Sequence, residues 1–122
     1  MKPLEGLNVL AVGTMADLAQ TVHIDDVVLD YVARLTEATR DDQQTAIGAS
    51  VRGGLALVRT AKVWAAAAGR EYVVPDDIKD LAQPVLAHRL ILDSEAEFAG
   101  VTAIDVLARI LETTAPPALR VA

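Results

Sequence analysis

The stretch Gly48-Ala49-Ser50-Val51-Arg52-Gly53-Gly54 comes nearest in this sequence to a chemical site. Ser50 is a strong helix N-cap, so a helix opening at Val51 puts Arg52 in its first turn, where free backbone N–H groups already favour an anion. A guanidinium there is always charged and can hold a phosphate in a fork of hydrogen bonds. Gly53 and Gly54 each weaken a helix by roughly 1 kcal/mol relative to alanine, which is easier to understand if something approaches the backbone closely. A phosphate would serve, and tight packing of helices on the two glycines explains the segment nearly as well.

The remaining chemistry-bearing residues have plainer readings. Every charged residue between Gln43 and Arg70 is positive, namely Arg52, Arg59, Lys62 and Arg70, and Arg59 shares a helix face with Arg52, which makes a local cationic edge. Its ordinary reading is a solvated face that pairs with Asp and Glu of neighbouring helices. Doubled carboxylates at Asp25/Asp26 and Asp76/Asp77 sit at helix starts, where capping and the helix dipole account for them, and Asp41/Asp42 lies in a loop. His23 and His88 form no H-x-x-x-H pair and there is no thiol, so a zinc centre would have to recruit carboxylates from separate helices. His88 beside Arg89 reads as a cation favoured by the carbonyls of a helix end. Ser50 and Ser94 are the only serines, and no G-x-S-x-G elbow surrounds either.

The elements that must position these residues belong to one small domain. The chain has 122 residues, 52% of them apolar and 23% charged, enough for one packed core. Aromatics are 3%, too few for the stacking platforms of single-strand binders. The absence of cysteine removes disulfides, thiolate zinc sites, iron–sulfur clusters and cysteine nucleophiles, and is compatible with a reducing cytoplasm. Eleven Lys and Arg against 17 Asp and Glu leave a net charge of −6, which repels a nucleic-acid backbone as a whole and confines any anion site to a local patch. The apolar stretches are interrupted by charge well short of the roughly 20 residues a bilayer span needs, and no signal peptide is read at Met1.

Periodicity and caps outline an all-α bundle of about five helices with one very short pair of strands. Met1 to Gly13 reads as a tether whose start looks cut, and Thr14-x-x-Asp17 opens a short helix to Gln20. Asp25 or Asp26 caps a helix whose core stripe is Val28, Tyr31, Val32, Leu35 and Ala38, with Arg34 and Arg40 on its solvated side. The helix from Val51 to Ala68 stops at Gly69 and packs through Leu57, Ala61, Trp64 and Ala68, with Val58 and Ala65 beside them. Pro75 starts a helix buried through Ile78, Leu81, Ala82 and Val85, which Pro84 is expected to kink or break, with Val85 to Arg89 as the second piece. Leu90-Ile91-Leu92 reads as a strand pairing with Tyr72 to Val74, and Asp93 to Gly100 as an acidic connection. Thr102-x-x-Asp105 caps a last helix facing inward through Ile104, Leu107, Ala108 and Leu111, ended by Pro116-Pro117.

Four segments taken together resemble the C-terminal lid of MoxR-type AAA+ ATPases: Gly48-Ala49-Ser50-Val51-Arg52-Gly53, Ala56 to Lys62, Gly69-Arg70-Glu71-Tyr72-Val73-Val74-Pro75-Asp76-Asp77-Ile78, and Pro84-Val85-Leu86-Ala87-His88-Arg89-Leu90. Their order and spacing agree from about Val22 to Leu111. The resemblance implies a helical lid over 22–114, preceded over 1–21 by a connector from an α/β nucleotide-binding core and followed over 115–122 by a frayed tail. It implies that Arg52 is the sensor-2 arginine that reads the γ-phosphate of ATP, supported by Gly48, Ala49 and Ser50, with ATP and Mg²⁺ bound mainly by that core. It implies partners as well: the core itself, neighbouring subunits of a ring, commonly a hexamer, and a von Willebrand factor A-domain protein, in a cytoplasmic, chaperone-like remodelling ATPase. The sequence departs from the family's pattern at Val51, where proline is usual, at Gly53, where alanine is usual, and at Val74, where a threonine or serine cap is usual. It contains no G-x-x-x-x-G-K-[ST] phosphate loop, no acidic Walker B strand and no arginine-finger segment, so these 122 residues are not expected to hydrolyse ATP alone. Two other readings remain: a freestanding helical adaptor that uses the Arg52/Arg59/Lys62 edge, and a small metal- or acid/base-dependent enzyme built on the doubled aspartates.

Overall fold

The computed structural model of the chain describes residues 19–118. The expected tether over 1–13, nearly all of the short helix from Thr14 to Gln20 and the last residues of the tail lie outside that range.

Within it the chain is helical apart from one pair of short strands. Helix α1 spans Asp26–Asp41, and the Asp25 carboxylate accepts from the Val27 N–H at 3.4 Å to start it. Its expected stripe is the buried one: Val28 and Tyr31 are fully inaccessible, and Val32 and Leu35 nearly so. Helix α2, Val51–Ala67, runs from Ser50 to a left-handed Gly69 with φ +76°. Helix α3, Pro75–Leu86, has proline at its first position and two aspartates in its first turn, both favourable at that end. Helix α4, Ser94–Phe98, is short, and helix α5, Ala103–Thr113, opens on reciprocal hydrogen bonds between Thr102 and Asp105. The core lies where α2 packs on α1 and α3 and where α5 packs on α1 and α3.

Five local expectations are corrected. Strand β2, Ile91–Leu92, pairs antiparallel with β1, Thr45–Ile47, a strand not expected from the sequence, and not with Tyr72 to Val74. Tyr72 instead forms an isolated parallel bridge with His23, through the His23 N–H to the Glu71 carbonyl and the Val73 N–H to the His23 carbonyl. Pro84 does not break α3: it lies on the exposed face two residues before the helix ends, and a 3-10 turn, Ala87–Arg89, follows directly. The acidic stretch after Asp93 is not a plain connection, because the Asp93 carboxylate caps α4 by accepting from the Ala96 N–H at 2.7 Å. On α2 the buried line is Gly53, Leu57, Ala61 and Ala65, spaced by four, which leaves Trp64 half-buried and Ala68 exposed. On α5 it is Val106, Leu107 and Ile110, which leaves Ile104 54% exposed.

Two joints hold the layers together. Arg109 on α5 donates to both oxygens of Asp42 at 2.6 and 3.1 Å and to Gln44 Oε1 at 2.8 Å, tying α5 to the end of α1. These hydrogen bonds, helped by the Gln44 N–H, hold the Asp42 carboxyl below the usual carboxylate range. The second joint is steric. A Cβ built on Gly48 would lie 2.5 Å from both Cα and N of Arg40, so the chain leaving β1 crosses α1 with no room for a side chain.

A group whose folded pKa is depressed contributes stability above its unfolded value, and that contribution is lost as pH falls through the folded value. Stability measured by urea unfolding is therefore expected to decline below about pH 4 in the native chain, and the decline should be shallower in Asp42→Asn. Gly48→Ala should destabilise by at least about 2 kcal/mol, because the clash is with backbone. Gly54→Ala, whose Cβ would meet Thr36 Cγ2 at 3.4 Å, should instead stabilise by about 0.5 to 1 kcal/mol. The same unfolding curves check all three variants.

Candidate functional site

The first turn of α2 is set in place by the three residues before it. Ala49 is fully buried, and its backbone is used on both sides: the N–H donates to Thr39 Oγ1 at 2.8 Å and the carbonyl accepts from an Arg40 guanidinium N–H at 3.1 Å. Thr39 is itself fully buried, its hydroxyl donates to the Thr36 carbonyl at 2.6 Å, and its carbonyl accepts from the Thr45 hydroxyl at 2.5 Å. Gly48 makes the close crossing over Arg40, and Ser50 is exposed with an extended backbone, its Oγ accepting from the Gly53 N–H at 3.4 Å. The helical ladder starts with the Gly54 N–H on the Ser50 carbonyl at 3.2 Å. The N–H groups of Val51 and Arg52 precede that first rung and belong to the donors a helix start leaves over.

Arg52 is exposed, and among the described residues it has neither a hydrogen-bond acceptor nor an ion-pair partner. Gly48, Ala49 and Ser50 come to the same corner, with Gly48 and Ala49 engaged in holding the corner to α1. The two glycines after Arg52 are explained by the protein's own packing. A Cβ on buried Gly53 would meet Arg89 Cδ and Leu86 Cδ2, each at 3.3 Å, and Gly54 faces Thr36 and Val32 of α1. Helix packing is thus the reading of Gly53 and Gly54 that the structure supports. It also lays the stem of Arg89 over the first turn of α2, and the Arg89 guanidinium, like that of Arg52, has no acceptor among the described residues.

The cationic edge divides. Arg70 leaves it: its guanidinium forks onto Asp77 at 2.7 and 2.6 Å and reaches the Tyr72 carbonyl at 3.2 Å. The same Asp77 carboxylate accepts from the Val74 N–H at 2.9 Å, supplying half of a capping box where valine cannot cap. Arg59 and Lys62 stay unpaired among the described residues and lie together on the outer side of α2. One aspartate of each doubled pair is engaged: Asp25 caps α1, as its place at a helix start suggested, while Asp42 is held by Arg109 and Asp77 by Arg70, ion pairs the sequence did not indicate for these aspartates. Among the described residues no three His, Cys, Asp or Glu gather as a metal site would require. His88 sits exposed in the 3-10 turn, and no described helix is long and apolar enough to cross a membrane. Thr39 and Arg40, which hold the corner, were not singled out from sequence for this role, since a contact ten residues away leaves no local period.

A family model described as AAA lid domain matches residues 37–110, more than half of the chain. The chain is 36% identical over 101 residues to YeaC of Bacillus subtilis, covering 83% of this chain and 32% of that protein. It is 31% identical over an alignment of 127 positions to Chaperone MoxR1 of Mycobacterium tuberculosis, covering 94% of this chain and 34% of that one. The crystal structure of a candidate ATPase from Cytophaga hutchinsonii superposes with a TM-score of 0.79 at 32% identity, over 84% of this chain and 34% of that one. The chain therefore spans about a third of the length of the relatives it matches. A helical bundle with this topology, a matching family model and this set of relatives identify the chain as a member of the AAA lid domains, of the kind carried by MoxR-family AAA+ ATPases.

Proposed function

We propose that this lid couples the nucleotide state of an AAA+ core to its own position, with Arg52 as the sensor-2 residue on the γ-phosphate of ATP. The observation that carries the reading is the state of Arg52: exposed, without an acceptor among the described residues, and in the first turn of a helix whose leading N–H groups are still free. A terminal phosphate presents negatively charged oxygens to which a guanidinium can donate two parallel hydrogen bonds. The γ-phosphate is gone after hydrolysis and release, so that contact exists in only one nucleotide state, which is what a differential effect on lid position requires. Gly48, Ala49 and Ser50 support the contact by fixing where α2 begins.

The chain's own residues fit a phosphate and do not fit Mg²⁺, because among the described residues no group of carboxylates gathers as a metal site would require, and Asp25, Asp42 and Asp77 are engaged in a cap and two ion pairs. Bound ATP supplies the phosphoryl group, and the metal belongs with the phosphate loop of the core. The Mycobacterium tuberculosis relative is named a chaperone. We extend to this chain a remodelling role of that kind, in a ring of subunits where Arg52 serves its own nucleotide or a neighbour's.

In the ATPase polypeptide that carries this lid, Arg52→Ala is expected to lower ATP turnover by about tenfold or more, the loss of one charge-assisted contact. Arg52→Lys should recover little, because a lysine offers a point charge in place of the fork. The melting temperature of the lid should not change, since Arg52 makes no contact that stabilises it. Unchanged turnover together with unchanged nucleotide-dependent assembly would refute the reading.

A further inference from the structure

Helix α4 ends in Phe98, the only phenylalanine of the chain, and it is 97% exposed. The turn that presents it is well tied. The Asp93 carboxylate accepts from the Ala96 N–H at 2.7 Å, the Asp93 N–H donates to the Gln44 carbonyl at 2.9 Å, and the Val101 N–H donates to the Ala96 carbonyl at 3.0 Å. Ala96 is buried beneath it, and Gly100, at φ +85°, turns the chain away. An ordered turn therefore holds an aromatic ring in water. Glu95 and Glu97 are exposed beside it, and neither has a cationic partner among the described residues.

The same molecule carries the converse surface. Along the outer side of α2, Ala19, Gln20, Arg59, Lys62 and Val63 line an open groove of about 350 Å³, more than one phenyl ring needs. Ala19 and Val63 make it apolar, while Arg59 and Lys62 edge it with two cations that have no partner among the described residues. An acidic turn tipped with an aromatic ring and an apolar groove edged with cations are complementary in shape class and in charge.

We propose that Phe98 of one copy of this chain seats in the Ala19/Val63 groove of a second copy, with Glu95 and Glu97 against Arg59 and Lys62. Charge selects this head-to-tail arrangement, since two Phe98 turns meeting each other would oppose four carboxylates. A contact between two different patches leaves each copy with one of each still open, so it propagates around a ring or along a filament and does not stop at a dimer. One ring in one groove buries far less surface than a stable complex needs, so between free chains the contact is weak and exchanges fast. Where other segments bring copies together it becomes effectively intramolecular and gains accordingly. The proposal shares no residue with the Arg52 reading and stands or falls apart from it.

The test is intermolecular paramagnetic broadening in the 122-residue chain, which has no cysteine of its own and can be spin-labelled singly at Ser94→Cys, exposed at the start of α4. Labelled chain is mixed with unlabelled, ¹⁵N-enriched native chain at millimolar concentration. The expected result is loss of signal at the amides of Ala19, Gln20, Arg59, Lys62 and Val63. It should vanish when Phe98→Ser is added to the labelled copy and when Lys62→Glu is introduced in the enriched copy. It should return when that Lys62→Glu copy meets a labelled copy bearing Glu97→Lys. Absence of broadening at the groove, broadening that survives Phe98→Ser, or broadening centred on α4 of the partner copy overturns the proposal. So does finding residues 1–18 of the same chain in the groove, read as nuclear Overhauser contacts between that segment and Val63.

Discussion

The arrangement rests on the crossing at Gly48. There the chain leaving β1 passes α1 so closely that backbone meets backbone, and a methyl group in that space would lie 2.5 Å from Arg40 Cα. Close passage brings Ala49 within reach of Thr39 and Arg40, which satisfy its N–H and its carbonyl in turn. Those two hydrogen bonds decide where α2 starts, and α2 is the helix on which both α1 and α3 pack. The β1–β2 pairing closes the same region from the other side, because β2 follows directly on the 3-10 turn that carries Arg89. One small residue thus sets the register of a strand, the start of a helix and the position of the turn opposite it.

The glycines after Arg52 extend the same logic. Gly53 and Gly54 forgo roughly 1 kcal/mol each of helix propensity, and in exchange α2 approaches Thr36 and Val32 on one side and Leu86 and Arg89 on the other. Two of the three departures from the family's pattern fall on this turn and the third at the start of α3, and they have different consequences. Val51, where proline is usual, is 73% exposed and touches the packing little. Gly53, where alanine is usual, is the residue whose missing methyl lets the Arg89 stem lie in contact. An alanine there would push that stem or Leu86 back by a few tenths of an ångström. At Val74 the lost side-chain cap is offset from the other direction, since Asp77 reaches back to the Val74 N–H while it holds Arg70.

What could be read from the sequence follows from how local each signal is. The starts of α1, α2, α3 and α5 were legible because Asp25, Ser50, Pro75 and Thr102 act within three residues of themselves, and the α1 stripe because its period is carried by large apolar side chains. On α2 the same method found Leu57 and Ala61 but centred the face too far toward Trp64 and Ala68. Its buried line is made of Gly53, Ala61 and Ala65 around Leu57, so size points to Trp64 while close packing selects the small residues. The strand pairing was not legible, since Thr45–Ile47 and Tyr72–Val74 offer equally short partners to Ile91–Leu92. The choice is made by the crossing at Gly48, which puts β1 in reach, and by His23, which engages the Tyr72 segment. At the candidate site Arg52 and its cap were legible, whereas the Thr39–Ala49 bond and the Arg89–Gly53 contact join residues distant in sequence and leave no trace in any local pattern.

The distribution of charge adds a constraint that neither packing nor caps imply. Acidic residues outnumber basic ones by 17 to 11, so a cation without a carboxylate partner is not short of candidates. Arg34, Arg70 and Arg109 have such partners, and the last two close joints between elements. Arg52, Arg59, Lys62 and Arg89 have none among the described residues, and all four lie on α2 or on the turn packed against its start. Of the other described cations without a carboxylate partner, Lys79 stands alone on α3 and Arg40 holds the Ala49 carbonyl, so the densest group of unpaired cations is the one on and beside α2. An anion meeting this domain is repelled by most of the surface and meets the densest group of unpaired cations at α2. Because the start of α2 is bonded to α1 through Ala49 and packed on α3 through Gly53, a load taken up at Arg52 passes into the body of the bundle and is not absorbed by a loop. A ligand that grips this one side chain therefore grips the whole domain.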